Sequence, residues 1–213
     1  IDSVIKLRES SMTLAAIEKD ELTGLYTRQA FYHHARTFTH FMTEEKFNVV
    51  ILDVADFKLI NGTYGTKKGN EVLVYLSNAF RYYVKNGLLT RYEGDQLLGL
   101  FHSKVKMDVE RINRNINKIA EEAPIPNIRI KVGIYEDIDT SLSIPIICDR
   151  ALMAEKSISK DFKTNVAFYT DELNQKQLAQ RQMENDFKSA IANREFKVYY
   201  QPKYDVQTEH IVG

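Results

Sequence analysis

Cysteine, surplus positive charge and long apolar runs are all scarce in this sequence. Cys148 is the one cysteine among 213 residues, which excludes a disulfide within the chain and a structural zinc site built on thiolates. We expect it to be a buried core thiol. Lys and Arg number 29, as do Asp and Glu, so the basic surplus typical of nucleic-acid binding is missing. Apolar runs such as Val49–Leu52 are too short to cross a membrane.

These absences favour a globular protein of the reducing cytoplasm, without nucleic-acid or membrane contacts. Hydrophobic residues make up 44% and charged residues 27% of the chain, which are ordinary values for a globular domain. The chain begins with Ile1 and ends at Gly213 on a strand-like run. This pattern predicts that the sequence is a piece of a longer protein.

The first 19 residues have the periodicity of a helix. Ile5, Met12, Ala15 and Ile17 recur at helical spacing among polar residues. Two interpretations stay open: a helix packed on the following domain, or the tail of a signalling coiled coil. In either case, residues 1–19 are predicted to be an N-terminal linker or signalling helix.

Strands and helices alternate over the next 150 or so residues. Phe47–Val54 is so continuously apolar that it is predicted to be a central strand, buried on both faces, and Phe57–Gly65 is predicted to be a loop. Other strands are predicted over Leu88–Tyr92, Leu97–Phe101, Ile128–Tyr135 and Val166–Tyr169. Helices are predicted over Arg28–Met42, Lys68–Asn86, Val105–Glu122 and Pro145–Ser159. This order predicts an α+β fold of ferredoxin-like type, an antiparallel-containing central sheet with flanking helices over one face.

Two carboxylates occupy positions that could converge in such a fold. Asp53 lies at the end of the central strand, and Asp95 lies at the tip of a tight hairpin with Gly94. If the hairpin lies beside the central strand, both carboxylates reach one edge, where their repulsion favours a bound cation such as Mg²⁺ or Mn²⁺. The alternative is that Asp53 is an ordinary strand-end residue and Asp95 an ordinary turn residue.

Five segments carry a family resemblance. They are Asp20–Arg28 (DELTGLYTR), Asp53–Asn61 (DVADFKLIN), Gly65–Leu73 (GTKKGNEVL), Arg91–Leu97 (RYEGDQL) and Ala151–Lys156 (ALMAEK). In this order and spacing they resemble the D-x-L-T-G-L-x-N-R, D-x-D-x-F-K-x-I-N, G-x-x-x-G-x-x-V-L, R-x-G-G-D-E-F and A-L-Y-x-A-K motifs of GGDEF domains. The resemblance covers residues 20–170 and implies the nucleotidyl cyclase, or palm-like, version of the fold.

The resemblance also implies a reaction and a set of site residues. GGDEF domains join two GTP molecules into cyclic di-GMP between two facing subunits, which implies a homodimer. At the matching positions, the resemblance implies that Asp53, the Val54 carbonyl and Asp95 hold Mg²⁺ or Mn²⁺. It implies that Asn61 and Asn70 face guanine and that Lys58 and Lys156 contact phosphates. It also implies that Gly94 lets the backbone approach the nucleotide. Asp95 is also the candidate catalytic residue.

Several positions depart from the family pattern. Glu93 replaces the first Gly of the signature and adds negative charge beside the nucleotide. Gln96 replaces its acidic fourth residue and cannot act as a base. Asn70 replaces an Asp that accepts hydrogen bonds from guanine, and Gly62 and Thr66 replace the usual Asp and His. Together these changes predict a degenerate GGDEF domain without cyclase activity.

The C-terminal residues resemble a second family. The segment from Phe187 to Lys203 (FKSAIANREFKVYYQPK) and Ile211–Gly213 resemble the opening of EAL domains, which hydrolyse cyclic di-GMP with metal ions on a (β/α)8 barrel. Residues 171–213 are therefore predicted to be a linker helix and the first strands of a truncated EAL domain. Phe196–Gln201 is predicted to be a strand, with Tyr199 and Tyr200 as packing residues.

Three functions remain open at this stage. The first is a cyclic di-GMP signalling module, in which the degenerate domain binds GTP and regulates or dimerises an adjoining EAL phosphodiesterase. The second is an active diguanylate cyclase. The third is a structural scaffold with a vestigial pocket.

Overall fold

The computed structural model of the chain describes residues 18–40, 46–102, 106–158 and 164–211. All but the last two residues of the helix expected over 1–19 lie outside these ranges. The described strands are β1 Tyr26–Thr27, β2 Phe47–Val54, β3 Leu88–Glu93, β4 Gln96–His102, β5 Ile130–Tyr135 and β6 Val166–Phe168. The described helices are α1 Arg28–His40, α2 Phe57–Tyr64, α3 Thr66–Tyr83, α4 Val109–Glu121, α5 Ile144–Lys156 and α6 Asp171–Ala192. None of these helices is both long and apolar enough to cross a membrane.

The strands form one mixed sheet in the order β1-β3-β4-β2-β5-β6. The central strand β2 pairs antiparallel with β4 on one side and with β5 on the other. The outer pairs, β1 with β3 and β5 with β6, are parallel. The α+β prediction and the buried central strand are confirmed, because seven of the eight β2 residues are buried and the eighth, Asp53, is partly buried.

Helices cover both faces of the sheet, so the expectation of helices over one face was wrong. Val50, Leu52 and Val54 of β2 pack in a cluster with residues of α3 and α4. Val49 and Ile51, which alternate with them, pack in a second cluster with residues of α1 and α5. A strand whose two faces are both apolar needs a cover on each side.

The segment after β2 is a helix, where a loop was predicted. Asn61 and Gly62 are poor helix formers, and they favoured the loop assignment. In the structure, α2 begins after Asp56, and Phe57 and Ile60 pack on the core formed with α3. Tertiary burial of these two side chains therefore outweighs the low local helix propensity. At Gly65, φ is +83°, which allows the chain to turn from α2 into α3.

The chain divides into two compact units between Leu173 and Asn174. In the second unit, the rings of Phe187 and Phe196 are 5.3 Å apart, and Tyr204 bridges to Ile211. The strand predicted over Phe196–Gln201 is not formed, because no described strand pairs with it. Tyr199 and Tyr200 are 86% and 91% exposed, so their predicted packing role was also wrong in this structure.

The Cys148 thiol is fully buried in the cluster between α1, α5 and the sheet, as expected. Burial raises the pKa of this thiol to about 12, with a further contribution from the charge of Asp149. The reactive thiolate is therefore scarce at neutral pH. We expect an aromatic disulfide reagent at pH 8 to label Cys148 only as the protein unfolds in urea. Rapid labelling of the native protein would contradict this buried placement.

Candidate functional site

The first motif of the chain holds the segment before α1 against the hairpin. Asp20 accepts hydrogen bonds from the backbone N–H of Thr23 at 2.8 Å and from its hydroxyl at 2.7 Å. Arg91 of β3 donates to Asp20 at 3.2 Å. Because Arg91 also donates to the Gly94 carbonyl at 2.8 Å, the same guanidinium supports the turn at the tip of the hairpin.

That turn carries Asp95 to the end of the central strand. Glu93 pairs with Gln96, so Gly94 and Asp95 form a two-residue turn, and Gly94 has a φ of +56° that favours glycine. Burial raises the pKa of the Asp95 carboxyl, and the nearby charge of Asp53 raises it further. Backbone hydrogen bonds, including one with Val54, act in the opposite direction. The structure thus brings Asp53, Val54 and Asp95 together at the C-terminal end of the central strand β2.

Asp53 lies between polar side chains of its two neighbouring strands. On β4, Gln96 precedes Leu97, the partner of Leu52, and its side-chain amide donates to Oδ1 of Asp53 at 3.3 Å. On β5, Lys131 is the register partner of Asp53, and its Nζ lies 3.0 Å from Oδ2. Both carboxylate oxygens of Asp53 therefore already have a donor from the protein.

Lys131 also forms an ion pair with Glu155 of α5. The side chains of Lys131, Asp53 and Glu155 are 21%, 16% and 2% exposed, so this ion-pair cluster is largely withdrawn from water. Burial alone would lower the pKa of Lys131, but its hydrogen bonds to Glu155 and Asp53 raise it. Lys131 therefore carries its positive charge at neutral pH. Burial raises the pKa of Glu155, which makes the partnership with Lys131 important for its charged form.

A glycine allows α5 to approach the sheet closely at this cluster. A Cβ at Gly133 of β5 would lie 2.2 Å from the Ala151 carbonyl oxygen and 2.4 Å from the Glu155 amide nitrogen. Real Cβ atoms do not approach backbone atoms this closely. The absence of a side chain at Gly133 is therefore what brings Glu155 within reach of Lys131.

The donor set around Asp53 does not fit a divalent cation. An ammonium and an amide donor already engage its oxygens, and both present hydrogen atoms rather than lone pairs to the centre. Among the residues that the structure describes, no group of three or more His, Cys, Asp or Glu side chains is arranged to hold a metal ion. The geometry around Asp53 is that of a charge cluster.

The residues predicted to face guanine lie on the neighbouring helices α2 and α3. The Oδ1 of Asn61 is buried and has no hydrogen-bond partner among the residues that the structure describes. It rests over Gly69, where an added Cβ would lie 1.9 Å away. Asn70 follows Gly69 on α3 and is partly buried. An unpartnered buried acceptor is unfavourable. Rotation of the Asn61 side chain toward a ligand would therefore break no hydrogen bond of Oδ1 with the described residues.

The residues predicted to contact phosphate lie at the surface. Lys58 on α2 and Lys156 at the end of α5 are exposed, and neither is paired with Asp53 or Asp95 in the described part of the chain. The Glu93 side chain lies 3.7 Å from Arg28, in an ion pair in which Arg28 is 50% exposed and Glu93 is 75% exposed. The extra negative charge at the signature therefore has a partner, although solvent weakens such a pair.

Lys131 and Glu155 were missing from the predicted site. Two signals in the sequence could have identified them. Lys131 interrupts an apolar strand two residues before Gly133, so the two positions share one face of the sheet. Glu155 stands where the A-L-Y-x-A-K motif has its second Ala. Neither signal shows by itself that the two residues form a pair, because 24 positions separate them in the chain.

Comparison with known proteins adds an independent result. The family described as "Diguanylate cyclase, GGDEF domain" matches residues 17–159. Diguanylate cyclase DgcM of Escherichia coli is 27% identical over 127 residues, covering 56% of this chain and 30% of that protein. The bifunctional diguanylate cyclase/cyclic di-GMP phosphodiesterase MucR of Pseudomonas aeruginosa is 24% identical over 180 residues, covering 80% of this chain and 26% of MucR. The chain thus spans less than a third of either relative.

A solved structure supports the same architecture. The coiled coil and GGDEF domain of DgcB from Caulobacter crescentus, in complex with c-di-GMP, superposes with a TM-score of 0.60 at 20% identity. The match covers 78% of this chain and 94% of the DgcB chain. At this identity the likeness supports the fold alone.

Proposed function

This chain belongs to the diguanylate cyclase GGDEF domain family, and on that premise we propose that it is a cyclic di-GMP signalling module that binds guanine nucleotide without converting it. The observation that carries this proposal is the state of Asp53, whose two oxygens are engaged by Gln96 and Lys131. In the family reaction that carboxylate holds the metal beside the reacting phosphate. A carboxylate already paired with an ammonium is poorly suited to that task.

Nucleotide binding is supported by what the site retains. Asn61 has a buried acceptor without a partner among the described residues, and in this proposal its side chain rotates to bind guanine. Lys58 and Lys156 offer exposed positive charges for phosphate oxygens. In this proposal Asn70 faces guanine beside Asn61, and Gly94 lets the hairpin backbone approach the phosphates. The residues proposed to bind the nucleotide therefore differ from Asp53, the carboxylate that holds the metal in the family reaction.

We assign the regulatory output to an adjoining EAL domain. In this assignment residues 1–19 are the N-terminal linker, residues 20–170 are the GGDEF domain, and residues 171–213 begin the EAL domain. The resemblance of residues 187–203 to the opening of EAL domains supports this assignment. Guanine nucleotide would then regulate a phosphodiesterase to the extent that its affinity differs between two states of the protein.

An active cyclase is the second candidate, favoured by the retained Asp53, Asp95 and Lys156. It would work as a homodimer with Mg²⁺ or Mn²⁺. A turnover assay with GTP and either metal separates the two candidates. We expect no cyclic di-GMP from the purified chain, and stoichiometric excess of product over protein would reverse the assignment.

Calorimetric titration with GTP tests the binding itself. We expect saturable binding to the wild-type chain, and an Asn61→Ala affinity lower by about tenfold, because a lost hydrogen bond to a ligand costs about 1–3 kcal/mol. Asn115→Ala is the matched control, since Asn115 lines a cavity with His102, at the other end of β4 from Gln96. The absence of binding at millimolar GTP would favour a scaffold.

A further inference from the structure

The ion-pair cluster of Asp53, Lys131 and Glu155 occupies the position that the family assigns to a metal. We propose that the Lys131 ammonium is a permanent substitute for the divalent cation, so that this site excludes Mg²⁺ and Mn²⁺ and holds guanine nucleotide without either. The part of this inference that concerns nucleotide rests on the function proposed above. The part that concerns the metal stands on the geometry of the cluster alone.

The first step of the argument is proximity. Nζ of Lys131 lies 3.0 Å from Oδ2 of Asp53. A cation bound to the same carboxylate would sit about 2.0–2.1 Å from an oxygen if it were Mg²⁺, and so within a few ångströms of the ammonium. Like charges at such a distance repel strongly in a site that is withdrawn from water.

The second step is that Lys131 is held in place. Its other carboxylate partner, Glu155, is 2% exposed. If Lys131 swung away to admit a metal, Glu155 would be left buried with an uncompensated charge, which is strongly unfavourable. The close approach of α5 at Gly133 holds the Glu155 backbone beside β5. Asp53 and Glu155 therefore retain the ammonium from two sides.

The third step concerns the hydrogen-bond donors of Lys131. Glu155 stands where the family motif has Ala, and its buried charge is compensated by Lys131 on the neighbouring strand. Lys131 has three N–H donors, of which Asp53 and Glu155 take two. The side chain is 21% exposed, and in this proposal its third donor contacts a phosphate oxygen. The ammonium can thus replace the metal as a phosphate contact.

Titration with Mn²⁺ alone, followed by the electron paramagnetic resonance of the free ion, tests the metal part. We expect no saturable binding to the wild-type chain at millimolar Mn²⁺. In the folded Lys131→Ala/Glu155→Ala variant, we expect a new site whose Mn²⁺ dissociation constant lies at least about tenfold below the millimolar range. The matched control is Lys118→Ala/Glu122→Ala, which removes an exposed pair at the C-terminal end of α4, 3.9 Å apart, and leaves Asp53 untouched. This control is expected to behave as the wild type.

Two results would overturn the inference. One is saturable Mn²⁺ binding by the wild-type chain that is lost in Asp53→Asn. The other is a double variant that folds but gains no site. If the alanine variant does not fold, Lys131→Met/Glu155→Gln keeps the volumes similar and allows the same comparison.

The nucleotide part is tested by titrating the wild-type chain with GTP in excess Mg²⁺ and in excess EDTA. We expect the two dissociation constants to agree within about twofold, and tightening by Mg²⁺ of about tenfold or more would overturn metal independence. Absence of GTP binding in both buffers would refute the proposed function. The Mn²⁺ titration contains no nucleotide, so it decides the role of Lys131 independently.

Discussion

Replacing Lys131 with Met is expected to lower the free energy of unfolding by about 3 kcal/mol. The substitution keeps most of the aliphatic stem but removes the charge that compensates Glu155, which is 2% exposed, and Asp53, which is 16% exposed. Breaking a buried pair on one side leaves the other charge without a partner, and that desolvated charge is the main source of the loss. Urea unfolding followed by circular dichroism measures the change.

The double-mutant cycle shows whether the loss comes from the pair. Adding Glu155→Leu to Lys131→Met removes the orphaned carboxylate, so most of the lost stability should return. Lys118→Met is the control, because its partner Glu122 is 61% exposed, and it should change stability by no more than about 0.5 kcal/mol. A Lys131→Met effect as small as that of the control would mean that the cluster is open to water.

Replacing Gly133 with Ala is expected to destabilise the protein by about 3 kcal/mol, at the upper end of typical overpacking effects. The added Cβ meets backbone atoms of Ala151 and Glu155, at 2.2 and 2.4 Å. Backbone cannot rotate away as a flexible side chain can, so α5 must shift from β5. Because Glu155 lies on α5, this shift should also separate it from Lys131.

Gly62→Ala is the matched control for this prediction. Gly62 lies within α2, and a Cβ there would have no heavy atom of the described residues within 4 Å. Alanine is favoured over glycine inside a helix, so this variant should gain up to about 1 kcal/mol in the same urea experiment. Equal effects of the two substitutions would contradict the close packing of α5 on β5.

Much of the fold could be predicted from local patterns in the sequence. β2 was predicted with the bounds that the structure has, because eight consecutive residues suited to a buried strand leave little alternative. The hairpin was also located, because Gly94 and Asp95 lie between two short apolar runs. These two elements together account for the convergence of Asp53 and Asp95.

The errors arose where a segment's structure depends on partners distant in the chain. α2 forms because Phe57 and Ile60 find a core to pack on, although Asn61 and Gly62 argue locally against a helix. The segment Phe196–Gln201 has strand-forming residues, but a strand also requires a neighbour to accept its backbone hydrogen bonds. Helices on both faces follow from the burial of β2 on both faces, and the packed structure shows which helices cover each one.

The sequence by itself determined the family, the order of strands and helices along the chain, and the carboxylates at the end of the central strand, because these depend on short motifs and on periodicity. Only the tertiary structure decided which charge faces those carboxylates. Lys131 meets Asp53 through strand register, and it meets Glu155 through the packing of α5 at Gly133. Contacts between residues remote in sequence are set by register and packing distance, and no local pattern encodes either quantity.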